Sequence, residues 1–401
     1  MVDIHLSAKR DIVMSLQEQR TQKELSALKT QDQSALSGLV PANAVPNAIQ
    51  PIEKKYEIIQ AFRFVAALMV IILHSTFYTS ERLDPGSTMY FQGHNGVRLF
   101  FVISGFVMIV SSESLKKLTW GWKIFAEKRI LRIVPIYWII TTYKLLILLF
   151  ASALVYHAKI DAGFILKSYF FIPAKNIDGV INPLLGVGWT LNFEMFFYFL
   201  FAVALAFRLN ALAFLSAVFI PVALLSIFKT SAWPDIGFYA DPIIVDFLYG
   251  MIAAKLILTS KKLPDTLAII FILTGLVYLF VPRMGAISAV YKYDDVLAGI
   301  ASFMVIYGGV CIEKRWRKKI PSWLVYLGGA SYSLYLIHPV SAPLAPAVLK
   351  FLHLKWTGFS VVMSILTSIA AGTLFYKYCE KPLTQFLSRR IRKQKPVAIP
   401  V

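Results

Sequence analysis

The first apolar run of the chain, IIQAFRFVAALMVIILHSTFY, carries two ionisable side chains eleven residues apart, Arg63 and His74. Charged groups at membrane depth are expensive and mark substrate paths or reactive sites. Eleven helical steps of about 100° return to within roughly 20° of the starting face and climb about 16 Å. Both side chains are therefore expected to look into one cavity. Counted from the ends of their own apolar runs, Glu194 in WTLNFEMFFY, Asp246, and His338 in SYSLYLIHP fall near the level of His74. A carboxylate that orients an imidazole and stabilises its cation is the equipment of general-base catalysis. The plainer reading of Glu194 is an ion pair with Arg98 or Arg63. Lys144 is expected to snorkel or to meet a carboxylate, and His94, Asn95 and Arg98 to make loop contacts.

A second constellation is basic. The stretch SESLKKLTWGWKIFAEKRILRIVPIYW holds Lys128, Arg129 and Arg132. The two arginines are three apart on a helix that the pattern ends at Pro135, so they share a face and can clamp phosphates. An anionic cytosolic ligand suits that geometry, whereas the remaining lysines read as topology signals. Ser104, in VISGF, lacks the strand-to-helix elbow that exposes a nucleophilic serine, and its small neighbours read as a helix-packing surface.

The elements that must position these groups follow from composition. The 401 residues are 57% hydrophobic, 14% aromatic and 16% charged, with mean hydropathy +0.64. Soluble chains carry roughly 25% charged residues, so the class is an all-α integral membrane protein. Apolar runs near 58–77, 96–113, 133–155, 188–207, 211–228, 241–257, 265–282, 295–312, 321–341 and 358–379 predict a bundle of about ten transmembrane helices. The run FILKSYFFIP, within the loop 156–187, reads as a re-entrant or interfacial helix over a cavity. With the N-terminus inside, 29 of the 41 Lys and Arg lie on inner segments and nine on outer loops. Both termini are thereby expected in the cytoplasm. The net charge of +19 reports this topology, and nucleic acid is not an expected partner. Two cysteines, Cys311 and Cys379, without a CxxC pair or a His/Cys cluster, propose neither a disulfide framework nor a metal site. Residues 1–55 read as a polar cytoplasmic arm ending in a Pro-rich linker, 56–385 as the membrane domain and 386–401 as a basic tail.

In order along the chain, R-x10-H at Arg63 and His74, GVRLFFVISGF, KRILRIVPIYW with its RxxR, WTLNFEMFFY, SYSLYLIHP and the EKP after the last span resemble the acyltransferase-3 family. These are membrane O-acyltransferases of bacterial surface glycans. Arg98 stands where the family commonly has Asp. The resemblance implies an acyl-CoA donor, usually acetyl-CoA, and no metal. The acceptor it implies is a sugar hydroxyl on an exopolysaccharide, a lipopolysaccharide or a lipid-linked oligosaccharide at the cell inner membrane. On this reading Lys128, Arg129 and Arg132 hold the CoA phosphates, and the acyl arm passes Arg63 along one shaft. His74 acts as general base or transient acyl carrier with Glu194 orienting it, while Trp189, Tyr332, Tyr335 and His338 serve the substrate or its oxyanion. A proton-coupled secondary transporter or flippase is the alternative, because buried Arg, His and Glu also suit a carrier.

Overall fold

The computed structural model describes residues 56–152, 155–230, 232–281 and 294–392. The polar arm 1–55 and the end of the basic tail lie outside them. Among the described residues the regular elements are helices, joined by turns and loops, with a single isolated β-bridge between Lys175 and Ile181.

Fourteen helices follow in chain order: α1 Glu57–Arg82, α2 Asn95–Ser112, α3 Gly121–Phe150, α4 Ala162–Tyr169, α5 Trp189–Ala206, α6 Ala211–Leu224, α7 Asp246–Leu258, α8 Asp265–Phe280, α9 Asp294–Trp316, α10 Ser322–Gly329, α11 Ser331–Ser341, α12 Leu344–Phe351, α13 Thr357–Phe375 and α14 Lys381–Arg392. Each of the ten expected spans has a helical counterpart. Eight helical stretches are long and apolar enough to cross a membrane. The other two are the 16-residue α8 and the 13-residue α7, which a 3-10 turn at Pro242–Val245 extends.

Three boundaries depart from the sequence pattern. α3 starts at Gly121, so Arg129 and Arg132 belong to the spanning helix itself, and it runs through Pro135 instead of ending there. Proline costs one amide bond inside a helix, but burial of the flanking residues keeps the axis continuous. The ninth expected span is two helices, α10 and α11, meeting at Ala330. The loop after α3 does contain a helix, α4, whose first turn is capped by Asp161 accepting from the Phe164 amide at 2.6 Å.

Close approach of helices sets the frame. A methyl group at Gly105 of α2 would collide with the Phe247 carbonyl of α7, and one at Gly250 of α7 with the Val102 carbonyl. The small residues of VISGF thus let two backbones touch, as membrane helices require in the absence of a hydrophobic driving force between them. Above that contact Phe101, Phe197 and Phe247 stack at centroid distances of 4.4 and 4.3 Å, joining α2, α5 and α7. The orphan amides at the start of α1 are satisfied from a distant helix: Glu313 of α9 accepts from Glu57 N at 2.9 Å and Ile58 N at 3.0 Å. A carboxylate at a helix N-terminus also complements the macrodipole, and here it fixes the helix that carries Arg63 and His74.

Candidate active site

Two cavities flank α1 where a single shaft was expected. The inner one, about 230 Å³, is lined by Arg63, Arg129, Arg132, Glu194, Tyr332 and Tyr335 among others. The outer one, about 1410 Å³, is lined by His74, Trp189, Tyr78, Lys144 and loop residues from 155 to 187. They meet at a knot of hydroxyls. Tyr335 Oη donates to the Val187 carbonyl at 3.1 Å and lies 2.9 Å from Thr190 Oγ1, which itself reaches Val187 O at 3.0 Å.

The inner cavity collects the basic residues. Arg129 is buried, donates from Nη2 to Ser111 Oγ at 2.9 Å and lies over the rings of Phe125 and Tyr198 at 5.5 and 5.9 Å. Arg63 and Arg132 face the same space and make no hydrogen bond or ion pair among the described residues. The fields of Glu194 and Glu380 reach Arg63, but neither carboxylate touches it. Glu380, of the EKP segment, is buried and accepts from Ser333 Oγ. Three guanidiniums facing one space against two hydrogen-bonded carboxylates leave room for an anionic ligand. Lys128 is not part of this set. It lies on the exposed face of α3 and does not line the cavity, because one residue from Arg129 is a turn of about 100° away.

Glu194 does not orient His74. Its carboxylate accepts from Ser104 Oγ at 3.2 Å and from the Tyr198 hydroxyl, and the ion pairs weighed for it with Arg98 and Arg63 do not form. Arg98 pairs with Asp246 at 3.2 Å and with Asp295, whose carbonyl also accepts at 2.9 Å. Asp246 is thereby spent on Arg98 and does not reach the level of His74 as a free carboxylate. The arginine that stands in the family's usual Asp position is thus neutralised from two other helices. His94 stacks on Trp189 with centroids 5.8 Å apart, and Asn95 Nδ2 donates to Leu279 O at 3.0 Å.

His74 lines the outer cavity with its partner ring His338 at 4.8 Å. His74 Nδ1 lies 3.0 Å from Val70 O. A carbonyl only accepts, so Nδ1 carries the proton and Nε2 presents the basic lone pair. His338 is fixed the same way through Leu334 O at 3.3 Å, and its buried Nε2 has no hydrogen-bond partner. Two imidazoles with anchored Nδ1–H groups and available Nε2 atoms are suited to moving a proton.

Tyr332 and Tyr335 do not offer free donors to an oxyanion. Tyr332 Oη donates to Ile133 O at 2.8 Å, and Tyr335 is engaged in the Val187–Thr190 knot. Both phenols bind helices together across the divide, while the Trp189 indole lines the outer cavity. Lys144 neither snorkels into an ion pair nor meets a carboxylate directly; it lines the outer cavity within the fields of Arg82 and Glu81.

At the outer rim His157 bridges two carboxylates, Nε2 to Glu81 and Nδ1 to Asp178, both at 2.6 Å. The hydrogen bond to Glu81, opposed in part by burial and reinforced by Asp178, holds its pKa above the ordinary 6.5. Its backbone sits at φ +62°, a conformation that costs a non-glycine residue and is retained only where contacts enforce it. Sequence reading missed this clamp, because its three members are brought together by loops.

Comparison with known proteins supplies what geometry alone does not name. A family model described as an acyltransferase domain, that of the acyltransferase-3 family, matches residues 56–377. The exopolysaccharide production protein ExoZ of Rhizobium meliloti (strain 1021) is 30% identical over 320 residues, covering 77% of this chain and 93% of its own. No solved structure matches.

Proposed function

The chain belongs to the acyltransferase-3 family and is a multi-pass membrane acyltransferase, and from that premise we propose that it moves an acetyl group from cytosolic acetyl-CoA to a hydroxyl of an exopolysaccharide or its precursor. The exopolysaccharide assignment is taken from the relative ExoZ. The observation that carries the reading is that one helix, α1, brings Arg63 to the inner cavity, where it faces Arg129 and Arg132 of α3, and the anchored imidazole of His74 to the adjacent outer one.

Arg63, Arg129 and Arg132 bind the donor's phosphates at the inner mouth. A space of about 230 Å³ is below the roughly 300–1,000 Å³ of a drug-sized pocket, so the nucleotide stays outside and only the thin thioester arm enters. His74 Nε2 takes the proton of the acceptor hydroxyl as its oxygen attacks the thioester carbonyl. The C–S bond breaks, and the thiolate leaves with the proton returned by His74, while Val70 O holds the ring in the required tautomer. The Trp189 indole N–H is the donor available to the developing oxyanion. Thioester to oxygen ester is downhill, so neither ATP nor an ion gradient enters. Glu194, with Ser104 and Tyr198, orders the arm's path and does not act on His74.

We infer from the partition of Lys and Arg that both termini lie in the cytoplasm and that the membrane is the cell inner membrane, an orientation in which the arginines are on the donor side. Purified protein supplied with acetyl-CoA and the native glycan is expected to form an ester visible by mass and proton NMR. His74→Ala is expected to lose that product while retaining CoA binding, and transfer at the wild-type rate by His74→Ala would remove the reading.

A further inference from the structure

The outer cavity is far larger than a sugar ring needs, and its shape says why. One wall is a single face of α3, running from Ile139 through Tyr143 to Ile147, about 12 Å of helix at 1.5 Å per residue. The other wall is Ala371 and Leu374, at the i, i+3 spacing of one face of α13, with Tyr378 in the π-helical turn that follows. These are not interior residues. Ile139 is 41%, Tyr143 53%, Leu374 56% and Tyr378 68% exposed, so none of the described residues covers the groove between the two helices at these positions. An apolar channel that opens sideways from a membrane protein opens into lipid.

Within the apolar face of α3 stands one cation. Lys144 lines the groove and makes no ion pair or hydrogen bond among the described residues. Arg82 stands in its field together with Glu81. A lone ammonium beside hydrocarbon persists where an anion completes it. Above Lys144 the cavity changes character again, to Tyr156, the Trp189 ring backed by His94, and Asn182, aromatic and amide groups of the kind that sugars stack on and hydrogen-bond to. His74 opens into this same space.

Apolar channel, single cation and sugar-binding surface are continuous in one cavity that ends at the reactive imidazole. We propose that this groove binds a glycan carried on an isoprenoid phosphate, with the chain between α3 and α13, the phosphate on Lys144 and the first sugars turned inward toward His74. A free polymer leaves the channel and the ammonium without purpose, and a phospholipid leaves the aromatic and amide surface without one. The proposal rests on the acyl-transfer reading and narrows its acceptor to the lipid-linked form.

The test uses the full chain in nanodiscs and a decaprenyl phosphate probe with a diazirine in its tail, without any acyl donor. Crosslinks are expected to concentrate on α3 and α13 around Ile139 and Leu374 and to be displaced by unlabelled decaprenyl phosphate. Lys144→Glu is expected to reduce them at least tenfold. Leu374→Trp, which fills the channel without touching its charge, is expected to do the same and serves if Lys144→Glu fails to fold. Labelling spread evenly around the bundle, labelling indifferent to both changes, or equal displacement by phosphatidylglycerol would overturn the proposal. Because no turnover is read, loss of acetyl transfer with focused labelling would count against the acyl-transfer reading alone.

Discussion

At the residue scale the site depends on which polar atoms are already committed. His74 and His338 each spend Nδ1 on a carbonyl one turn back, which leaves two Nε2 lone pairs beside the outer cavity. A positioned general base contributes typically 10²–10⁴-fold, so His74→Ala is expected to lower kcat by about that factor with the KM for acetyl-CoA little changed. Steady-state kinetics in detergent would show it. Arg98 and Asp246 make the contrasting case of charge used for structure. Removing one partner of a buried pair costs about 3–5 kcal/mol, whereas replacing both with apolar groups is often neutral. Arg98→Leu is therefore expected to lower the unfolding temperature strongly, and Arg98→Leu with Asp246→Leu to recover most of it. The residue types of Arg63, His74, Glu194 and His338 and their place in apolar runs were readable, but Glu194, expected near the level of His74, lines the inner cavity instead. Their pairing was not readable, because spacing along one helix fixes a face but says nothing of which neighbour meets it. Glu194 turned to Ser104 and Tyr198 for that reason, and Asp246 to Arg98.

At the scale of elements the informative feature is the division between the cavities. Tyr335 of α11 ties to Thr190 and Val187 at the head of α5, and its ring stands 5.8 Å from His338 and 5.8 Å from Phe100. On the proposed reaction this knot narrows the passage by which the thioester arm reaches His74 and limits the water that enters from the outer cavity. Tyr335→Ala is expected to join the two spaces and raise thiol release from acetyl-CoA in the absence of any acceptor, a rate followed with a thiol reagent. The break at Ala330 that aims α11 at this point was invisible in an apolar run that reads as one span, since helical periodicity continues across it. The His157 clamp acts on loops instead, tying the segment after α3 and the turn around Asp178 to the end of α1. Because its folded pKa is raised, its stabilisation is complete below the ordinary value of 6.5 and is lost as pH rises through the raised value. Protease nicking between residues 155 and 180 is expected to increase on the alkaline side of that window and to become pH-independent in His157→Gln.

At the scale of the whole molecule, charge distribution decides whether the chemistry is possible at all. Composition carried the class, and the 29-to-nine partition of Lys and Arg gives the expected orientation, because the energy of placing basic loops across a bilayer is summed over the whole chain and does not depend on helix packing. Packing decided the rest: two cavities in place of one shaft, and a lateral groove that no run of residues announces. The orientation expected from that partition would set Arg129 and Arg132 on the cytosolic side, that of the proposed donor, and His74 toward the far side. With Cys311 and Cys379 first changed to Ser, Gly86→Cys in the exposed turn after α1 is expected to react with a membrane-impermeant maleimide in intact cells. Lys116→Cys, exposed in the turn between α2 and α3, is expected to react only after permeabilisation. The reverse pattern would set the arginine cluster on the side that lacks the donor and leave Arg63 and Arg132, which make no ion pair among the described residues, without the proposed ligand. A protein so oriented could not draw its acyl group from the cytosol, however well His74 is placed.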